Sequence, residues 1–266
     1  MKKTRFLPIL AIAVSIVLFS CSEESDNEPL IADFEVEVSG KAPEAELTFT
    51  NNSTGASSYM WTFGVGASNR ASLKKEPEAI AVDKAGDFEI KLVASNGSGA
   101  DTLTKTVSIN GNSAIVSYQD IEFGTGTGNY GRFYSFIDEQ MYQESEVDGS
   151  KEGKIHIAFE STEGTMYYFN SPAADTYDFI SAPNTKFTNY ESDPTITTDD
   201  FDSMQDDELL QDLTIIDDGD SFGKETIPHT VLFELSKGKK GVIKTREVNS
   251  ERILVDIKIQ KYSSLQ

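Results

Sequence analysis

The chain has 266 residues, 38% hydrophobic and 10% aromatic, which is enough apolar side chain to build the cores of two domains. Acidic residues outnumber basic ones by 44 to 23, and the formal net charge is −21 at pH 7. This charge argues against nucleic acid as a partner and against docking on anionic lipid headgroups, because both need clustered lysine and arginine.

The first twenty residues have the pattern of a secretory signal. Three basic residues open the segment: Lys2, Lys3 and Arg5. An apolar stretch follows over residues 6–19, and a small residue, Ser20, precedes Cys21. As a helix the apolar stretch would be roughly 21 Å long, against about 30 Å for the hydrocarbon core of a bilayer. A cleaved signal is therefore preferred over a transmembrane anchor.

Cys21 is the single cysteine of the chain, and it follows Leu18, Phe19 and Ser20. This segment resembles the lipobox of bacterial lipoproteins. The resemblance implies that residues 1–20 are removed and that Cys21 becomes the lipid-modified N-terminus, held in the membrane by acyl chains. The alternative is an ordinary signal cleavage site beside a free thiol. With one cysteine the chain forms no internal disulfide, so its stability must come from packed cores.

Residues 21–29 form an acidic, polar stretch that ends at Pro29. This composition predicts an extended, self-repelling tether. The stretch also resembles the acidic export signal that follows the lipidated cysteine in some Gram-negative lipoproteins. That resemblance implies a surface-exposed protein of the outer membrane, and the alternative is a generic linker on a protein that faces the periplasm.

Residues 30–110 show the period-two alternation of half-buried β-strands, with short apolar runs separated by turn residues. The apolar residues of these runs are Phe34, Val36, Val38, Leu47, Phe49, Tyr59, Trp61, Phe63, Ile80, Val82, Phe88, Ile90, Leu92, Leu103, Val107 and Ile109. Six or seven strands in about 80 residues are typical of a β-sandwich, and no helical period is present.

The same region resembles the PKD domains, an immunoglobulin-like family. The residues that carry the resemblance are Pro43, the run Trp61-Thr62-Phe63-Gly64, the turn Ala85-Gly86-Asp87-Phe88 and the hairpin Asn96-Gly97-Ser98-Gly99. The family implies an extracellular spacer or contact module with Trp61 in its core, and the alternative for Trp61 is an exposed sugar-stacking platform. Thr62 and Val65 stand where the family often has aspartate, which argues against a cation in that loop.

Residues 111–266 are predicted to form a second β-rich, sandwich-like domain with one short helix. Strands are expected at residues 114–116, 132–136, 154–159, 165–169, 231–235, 241–244 and 253–259, and the helix at 199–213, with Thr198 or Asp199 as its cap. The order of these features resembles the uncharacterised C-terminal domains of Gram-negative surface lipoproteins. Some distant relatives of that type bind haem or glycans, but no ligand residues are carried over.

Aromatic residues of this second region are candidates for ligand binding. Tyr130 lies in a glycine-rich loop, and Tyr134, Tyr167 and Tyr168 lie in predicted strands. If these tyrosines share a groove, they would stack on sugar rings. The loop at residues 126–131 also reads G-x-G-x-x-G, but a predicted strand rather than a helix follows it, so a dinucleotide site is not expected.

Carboxylates concentrate between residues 187 and 223, a stretch without lysine, arginine or histidine. Asp217, Asp218 and Asp220 are the candidate calcium ligands, since closely spaced carboxylate oxygens suit that ion. The alternative is a solvated acidic loop. No other cofactor is expected, because the two histidines, His156 and His229, with a lipidated cysteine make a poor ligand set for zinc, and haem at either histidine is a minor alternative.

The sequence therefore predicts a non-catalytic, lipid-anchored protein of the cell envelope. The PKD-like domain would present the C-terminal domain to a ligand, which we expect to be a glycan or another envelope protein. A hydrolase acting on an extracellular polymer and a structural assembly component are the alternatives. No catalytic residues are recognised, because 44 carboxylates single out no acid–base pair and the G-x-S-x-G motif of serine hydrolases is absent.

Overall fold

The computed structural model describes residues 28–126, 129–162 and 164–263. Cys21, the signal segment and most of the acidic tether lie outside the described residues, so the expectations for them stay predictions. Antiparallel β-strands dominate the described part of the chain, which confirms the mainly β fold. Within the same residues, no helix is both long and apolar enough to cross a bilayer.

The N-terminal strands form two antiparallel sheets that share one core. The strands are β1 (Phe34–Ser39), β2 (Ala45–Asn51), β3 (Ser58–Thr62), β4 (Ala71–Ser72), β5 (Ile80–Val82), β6 (Gly86–Asn96) and β7 (Gly99–Ile109). One sheet has the order β1-β2-β5 and the other the order β4-β3-β6-β7. The alternating apolar and polar residues of this region therefore form the strands of an immunoglobulin-like sandwich, as predicted.

Trp61 lies between these two sheets and is fully buried. Its ring meets Phe34 edge-on at a centroid distance of 5.1 Å and lies 5.5 Å from Phe49. The indole N–H donates to the carbonyl oxygen of Lys74 at 3.1 Å, which satisfies a donor that burial would otherwise leave unpaired. Trp61 is therefore a core residue, and the sugar-platform alternative is wrong because no ligand can reach the ring.

The C-terminal strands form a second, larger sandwich. The strands are β8 (Ile115–Gly124), β9 (Phe133–Ser135), β10 (Gln140–Tyr142), β11 (Ile157–Thr162), β12 (Met166–Asn170), β13 (Thr185–Thr188), β14 (Phe222–Gly223), β15 (Thr230–Leu235), β16 (Lys240–Val248) and β17 (Arg252–Gln260). Their sheets have the orders β10-β9-β11-β12-β14 and β13-β15-β16-β17-β8. Strands β10 and β8 are therefore edge strands.

The core of this sandwich is rich in aromatic residues. Alternate residues of β17 point into it: Ile253, Val255, Ile257 and Ile259. The ring of Phe123 in β8 lies 5.6 Å from Phe159 and 5.4 Å from Phe169, which belong to the other sheet. Each such side chain contributes about 1.5–3 kcal/mol by leaving water, so the packing of the two sheets is mainly hydrophobic. The alternation predicted for residues 253–259 is confirmed.

Two short helices, α1 (Thr198–Ser203) and α2 (Glu208–Gln211), replace the single helix expected at 199–213. The cap of α1 is Thr197, whose hydroxyl accepts the backbone N–H of Asp200 at 3.1 Å. The helix ends because Met204 adopts an extended backbone, with ψ 119°, and packs in a cluster with Phe201 and Leu210. That cluster covers the outer face of the β15–β16 pair, whereas Leu209 of α2 is exposed.

The two sandwiches meet at an ordered junction. The backbone N–H of Ala114 donates to the carbonyl oxygen of Asp83 at 2.9 Å, and the hydroxyl of Tyr262 donates to the Asp83 carboxylate at 2.8 Å. Gly111 in the connecting segment has φ 117°, and a Cβ atom there would lie 2.3 Å from the carbonyl oxygen of Ala42. The connection therefore requires glycine and is not an extended flexible linker.

Asp207 is a buried carboxylate with hydrogen-bond donors from three parts of the chain. Its oxygens accept the backbone N–H of Ser113 at 2.7 Å and the side-chain amides of Gln211 at 2.8 Å and Gln260 at 3.1 Å. Only 4% of Asp207 is exposed. Because a buried charge is stable only when it is fully hydrogen-bonded, this set of donors fixes α2, the start of β8 and the end of β17 together.

We expect Asp207→Ala to lower the free energy of unfolding by about 2–4 kcal/mol, because the substitution leaves the buried donors of Ser113 and Gln260 without an acceptor. Urea unfolding monitored by tryptophan fluorescence and circular dichroism measures the change. Asp212→Ala is the matched control, since Asp212 is exposed, and its effect should stay within about 0.5 kcal/mol. Equal effects of the two substitutions would contradict the role given to Asp207.

Candidate functional site

A groove opens between the edge strands β8 and β10, where the two sheets of the C-terminal sandwich diverge. Its volume is about 450 Å³. We call it the β8–β10 groove. Its polar walls carry the carboxylates of Asp120, Glu122, Glu139 and Glu146, and its aromatic residues are Tyr130 and Tyr134. The groove is thus acidic, and it contains two of the four tyrosines that were predicted from the sequence as candidates for ligand binding.

Two of the groove's acidic residues have an unusual backbone conformation. Asp120 has φ 56° and Glu139 has φ 49°, and in the described part of the chain they are the only non-glycine residues with positive φ. Asp120 belongs to a bulge in β8, where residues 119 and 120 both lie opposite Asp256 of β17. The left-handed region costs an L-residue about 1–2 kcal/mol, and bulges redirect side chains at sheet edges. The backbone therefore turns these carboxylates toward the groove at a cost in stability.

Three of the four groove carboxylates already have strong partners. Asp120 pairs with Arg246 at 2.6 Å, and the same guanidinium lies 3.1 Å from Asp256. Glu122 pairs with Arg252 at 3.1 Å. Glu146 accepts the backbone N–H of the residue three positions before it at 2.7 Å, as part of a capping box. These three groups shape the rim and are engaged by contacts within the protein, but each arginine is shared with a second carboxylate, so the groove stays acidic.

Glu139 and Tyr134 both line the groove with polar groups that have no hydrogen-bond partner in the described part of the chain. Glu139 is exposed and makes no ion pair or hydrogen bond with any residue that the structure describes. Tyr134 is 2% exposed, and its hydroxyl likewise has no hydrogen-bond partner among those residues. Burial, followed by the nearby Tyr118 and Glu139, raises the pKa of Tyr134 well above its usual range. The hydroxyl therefore stays protonated and is available as a donor, with half-buried Tyr130 beside it.

The other two candidate tyrosines lie on β12, outside the groove. Tyr167 is 2% exposed, its ring stacks against Phe159 in the core, and its hydroxyl donates to the carbonyl oxygen of Gly164 at 2.6 Å. Tyr168 is on the opposite face of the sheet, half-buried, and burial raises its pKa above the usual range. The four candidate tyrosines therefore do not share one groove: Tyr130 and Tyr134 line it, whereas Tyr167 and Tyr168 lie outside it on opposite faces of β12.

The predicted calcium ligands serve a structural purpose instead. Asp217 accepts the backbone N–H of Phe187 at 2.9 Å, and Asp218 accepts the backbone N–H of Asn189 at 3.0 Å. These carboxylates thereby pair with the edge of β13, and Asp220 donates its backbone N–H to Asp218 at 3.3 Å. Among residues 28–126, 129–162 and 164–263, no group of three or more metal-ligating side chains is present, so a calcium site at Asp217, Asp218 and Asp220 is not supported.

The two histidines lie in different parts of the sandwich, His156 just before β11 and His229 just before β15. Burial lowers the pKa of each to about 4. The Nε2 atom of His229 is buried without a hydrogen-bond partner in the described part of the chain, and its ring lies 4.3 Å from that of Phe222. Both imidazoles are therefore neutral at pH 7.

We expect acid to destabilise the protein partly through His229. Its folded-state pKa of about 4 lies below the unfolded value near 6.5, so the unfolded state binds the proton first and stability falls as the pH drops between these values. His229→Phe should remove about 1–2 kcal/mol of the loss in unfolding free energy between pH 7 and pH 5. Urea unfolding at both pH values measures this, and carboxylate contributions common to both proteins cancel. The same pH slope in both proteins would contradict the expectation.

Comparison with known proteins identifies the N-terminal sandwich. Residues 33–109 match the PKD domain family, so this region is a PKD domain, as its motifs predicted. The chain is also similar to the crystal structure of the PKD1 domain of the Vibrio cholerae metalloprotease PrtV. That match has 26% sequence identity and a TM-score of 0.26, and it covers 31% of this chain and 98% of the other.

A longer match extends into the C-terminal sandwich. The chain is similar to the crystal structure of a DUF4466 family protein from Parabacteroides merdae, with 11% sequence identity and a TM-score of 0.37. The match covers 88% of this chain and 100% of the other. No curated protein matches the chain.

Proposed function

We propose that this protein is a non-catalytic binding protein of the cell envelope, anchored through lipid on Cys21 and exposed at the surface of the outer membrane. In this proposal the PKD domain holds the C-terminal sandwich away from the membrane, and the β8–β10 groove binds a glycan. The lipobox-like segment before Cys21 and the acidic tether after it support the anchoring and the location.

One observation supports glycan binding most directly: the groove contains both a carboxylate and a tyrosine hydroxyl that have no partner in the described part of the chain. Glu139 supplies an acceptor and Tyr134 a donor, and sugar hydroxyls are both donors and acceptors. Tyr130 adds an aromatic surface against which the apolar face of a sugar ring can pack. Because the groove's net charge is negative, the favoured ligand is a neutral or amino sugar rather than a uronic or sialic acid.

Binding is favoured over hydrolysis by the state of the carboxylates. A glycosidase needs two carboxyl groups that face the scissile bond and exchange protons with it. In the groove Asp120 and Glu122 are held by arginines and Glu146 by a backbone N–H, which leaves Glu139 as the carboxylate free for a ligand. A single free carboxylate suits recognition better than acid–base chemistry.

A glycan array tests the ligand class, using a soluble form of residues 22–266 so that the junction between the domains stays intact. We expect neutral or amino-sugar glycans to bind, and Glu139→Gln and Tyr130→Ala each to weaken binding at least tenfold. Tyr168→Ala is the matched control and should leave binding unchanged, because Tyr168 lies outside the groove. A blank array, or binding that survives both groove substitutions, would favour a protein partner instead.

The anchor has a separate test. We expect the full-length protein to incorporate radiolabelled palmitate and to fractionate with the outer membrane, whereas Cys21→Ser should do neither. External protease should digest the wild-type protein on intact cells if it is surface-exposed. Membrane attachment that persists in Cys21→Ser would overturn the lipid anchor without affecting the groove.

A further inference from the structure

A second cavity, separate from the β8–β10 groove, lies at the end of the C-terminal sandwich. Its volume is about 310 Å³. The turn between β15 and β16 covers one side of it, and the first residues of β8 and the last residues of β17 form another. We call it the end cavity. Its wall is mainly apolar, with Val116, Tyr118, Phe136, Leu235 and Ile259 as the principal residues.

Aromatic rings give this wall a fixed shape. The ring of Phe136 lies 5.2 Å from Tyr118 and 5.5 Å from His156, and it stacks on Phe233 of the core at 5.9 Å. The Nδ1 atom of His156 accepts the backbone N–H of Phe136 at 3.2 Å, so the neutral imidazole keeps its proton on Nε2. A rigid apolar wall with few polar groups is typical of small-molecule sites.

The mouth of the end cavity is cationic, which is unusual in so acidic a protein. Lys237 and Lys239 lie on the β15–β16 turn, and neither side chain has a carboxylate partner in the described part of the chain. Lys239 is half-buried, and burial lowers its pKa. Asp138 acts electrostatically on His156, but its carboxylate pairs with Lys154 at 3.0 Å.

A partly desolvated lysine without a carboxylate partner among the described residues, beside an apolar cavity, favours a ligand that carries a negative group. Burying an ammonium group is costly unless a counter-ion compensates it, and the protein supplies none to Lys239. A sugar would place its hydroxyl groups against the apolar wall, and a purely apolar ligand would leave the lysine unpaired. A ligand with an apolar tail and one negative group satisfies both.

We propose that the end cavity binds a small amphipathic monocarboxylate, with its carboxylate at Lys239 and its apolar tail between Tyr118, Phe136 and Ile259. At about 30 Å³ for each group the size of a water molecule, the cavity of about 310 Å³ holds roughly ten such groups. That size corresponds to a medium-chain fatty acid. The proposal is independent of the glycan groove and goes beyond it.

Octanoate is the probe, and octanamide is its uncharged counterpart with the same tail. Isothermal titration calorimetry with the soluble form of residues 22–266 should detect octanoate binding, with octanamide at least tenfold weaker. Lys239→Met keeps the aliphatic stem and removes the charge. It should weaken octanoate at least tenfold and change octanamide little.

A second pair of variants keeps the proposal testable if Lys239→Met does not fold. Ile137 lies at the rim of the end cavity and is 62% exposed, so Ile137→Glu should fold normally while its charge repels the carboxylate. We expect at least fivefold weaker octanoate binding in Ile137→Glu. Ile180→Glu is the control, since Ile180 is 97% exposed and does not line the end cavity.

The proposal is overturned if octanoate does not bind, if octanamide binds equally well, or if Lys239→Met binds octanoate as tightly as the wild type does. Equal effects of Ile137→Glu and Ile180→Glu would also overturn it, because general charge rather than the cavity would then be responsible. None of these outcomes bears on the glycan array, so failure of either site leaves the other standing.

Discussion

The buried carboxylate of Asp207 connects three separate parts of the C-terminal sandwich through hydrogen bonds. It takes hydrogen bonds from Ser113 at the entry to β8, from Gln211 in α2 and from Gln260 at the end of β17. Strands β8 and β17 pair along most of their length, and they form walls of the end cavity, while β8 also borders the groove. One charge, compensated by three donors, therefore fixes the strands on which both candidate sites depend.

The faces of the sandwich are covered unequally, and this decides where a ligand can enter. Helices α1 and α2 pack on the outer face of one sheet through Phe201 and Leu210. On the other sheet, Tyr177 and Phe179 pack on Phe133 at ring distances of 5.1 Å. The edge between β8 and β10 and the end near the β15–β16 turn are two regions that stay open, and the β8–β10 groove and the end cavity lie there.

Charge distinguishes the two cavities more sharply than shape does. The groove carries four carboxylates with a free tyrosine hydroxyl, whereas the end cavity carries two unpaired lysines on an apolar wall. In a chain of net charge −21, the acidic groove resembles the average surface, whereas two lysines without a carboxylate partner among the described residues depart from it. Under the two proposals, this difference in charge would direct a polar, neutral ligand to the groove and an amphipathic anion to the end cavity.

The sequence by itself determined the PKD domain, the burial of Trp61 and the inward face of β17, because period-two alternation and the residues of family motifs are local properties. It did not distinguish Tyr134 from Tyr167, since alternation identifies a face of a strand but not what covers that face. Only the tertiary structure decided that β8 and β10 are edges, that Asp217 and Asp218 hydrogen-bond to β13, and that a helix breaks at Met204. Those outcomes depend on contacts between residues far apart in the chain, for which a single sequence carries no local pattern.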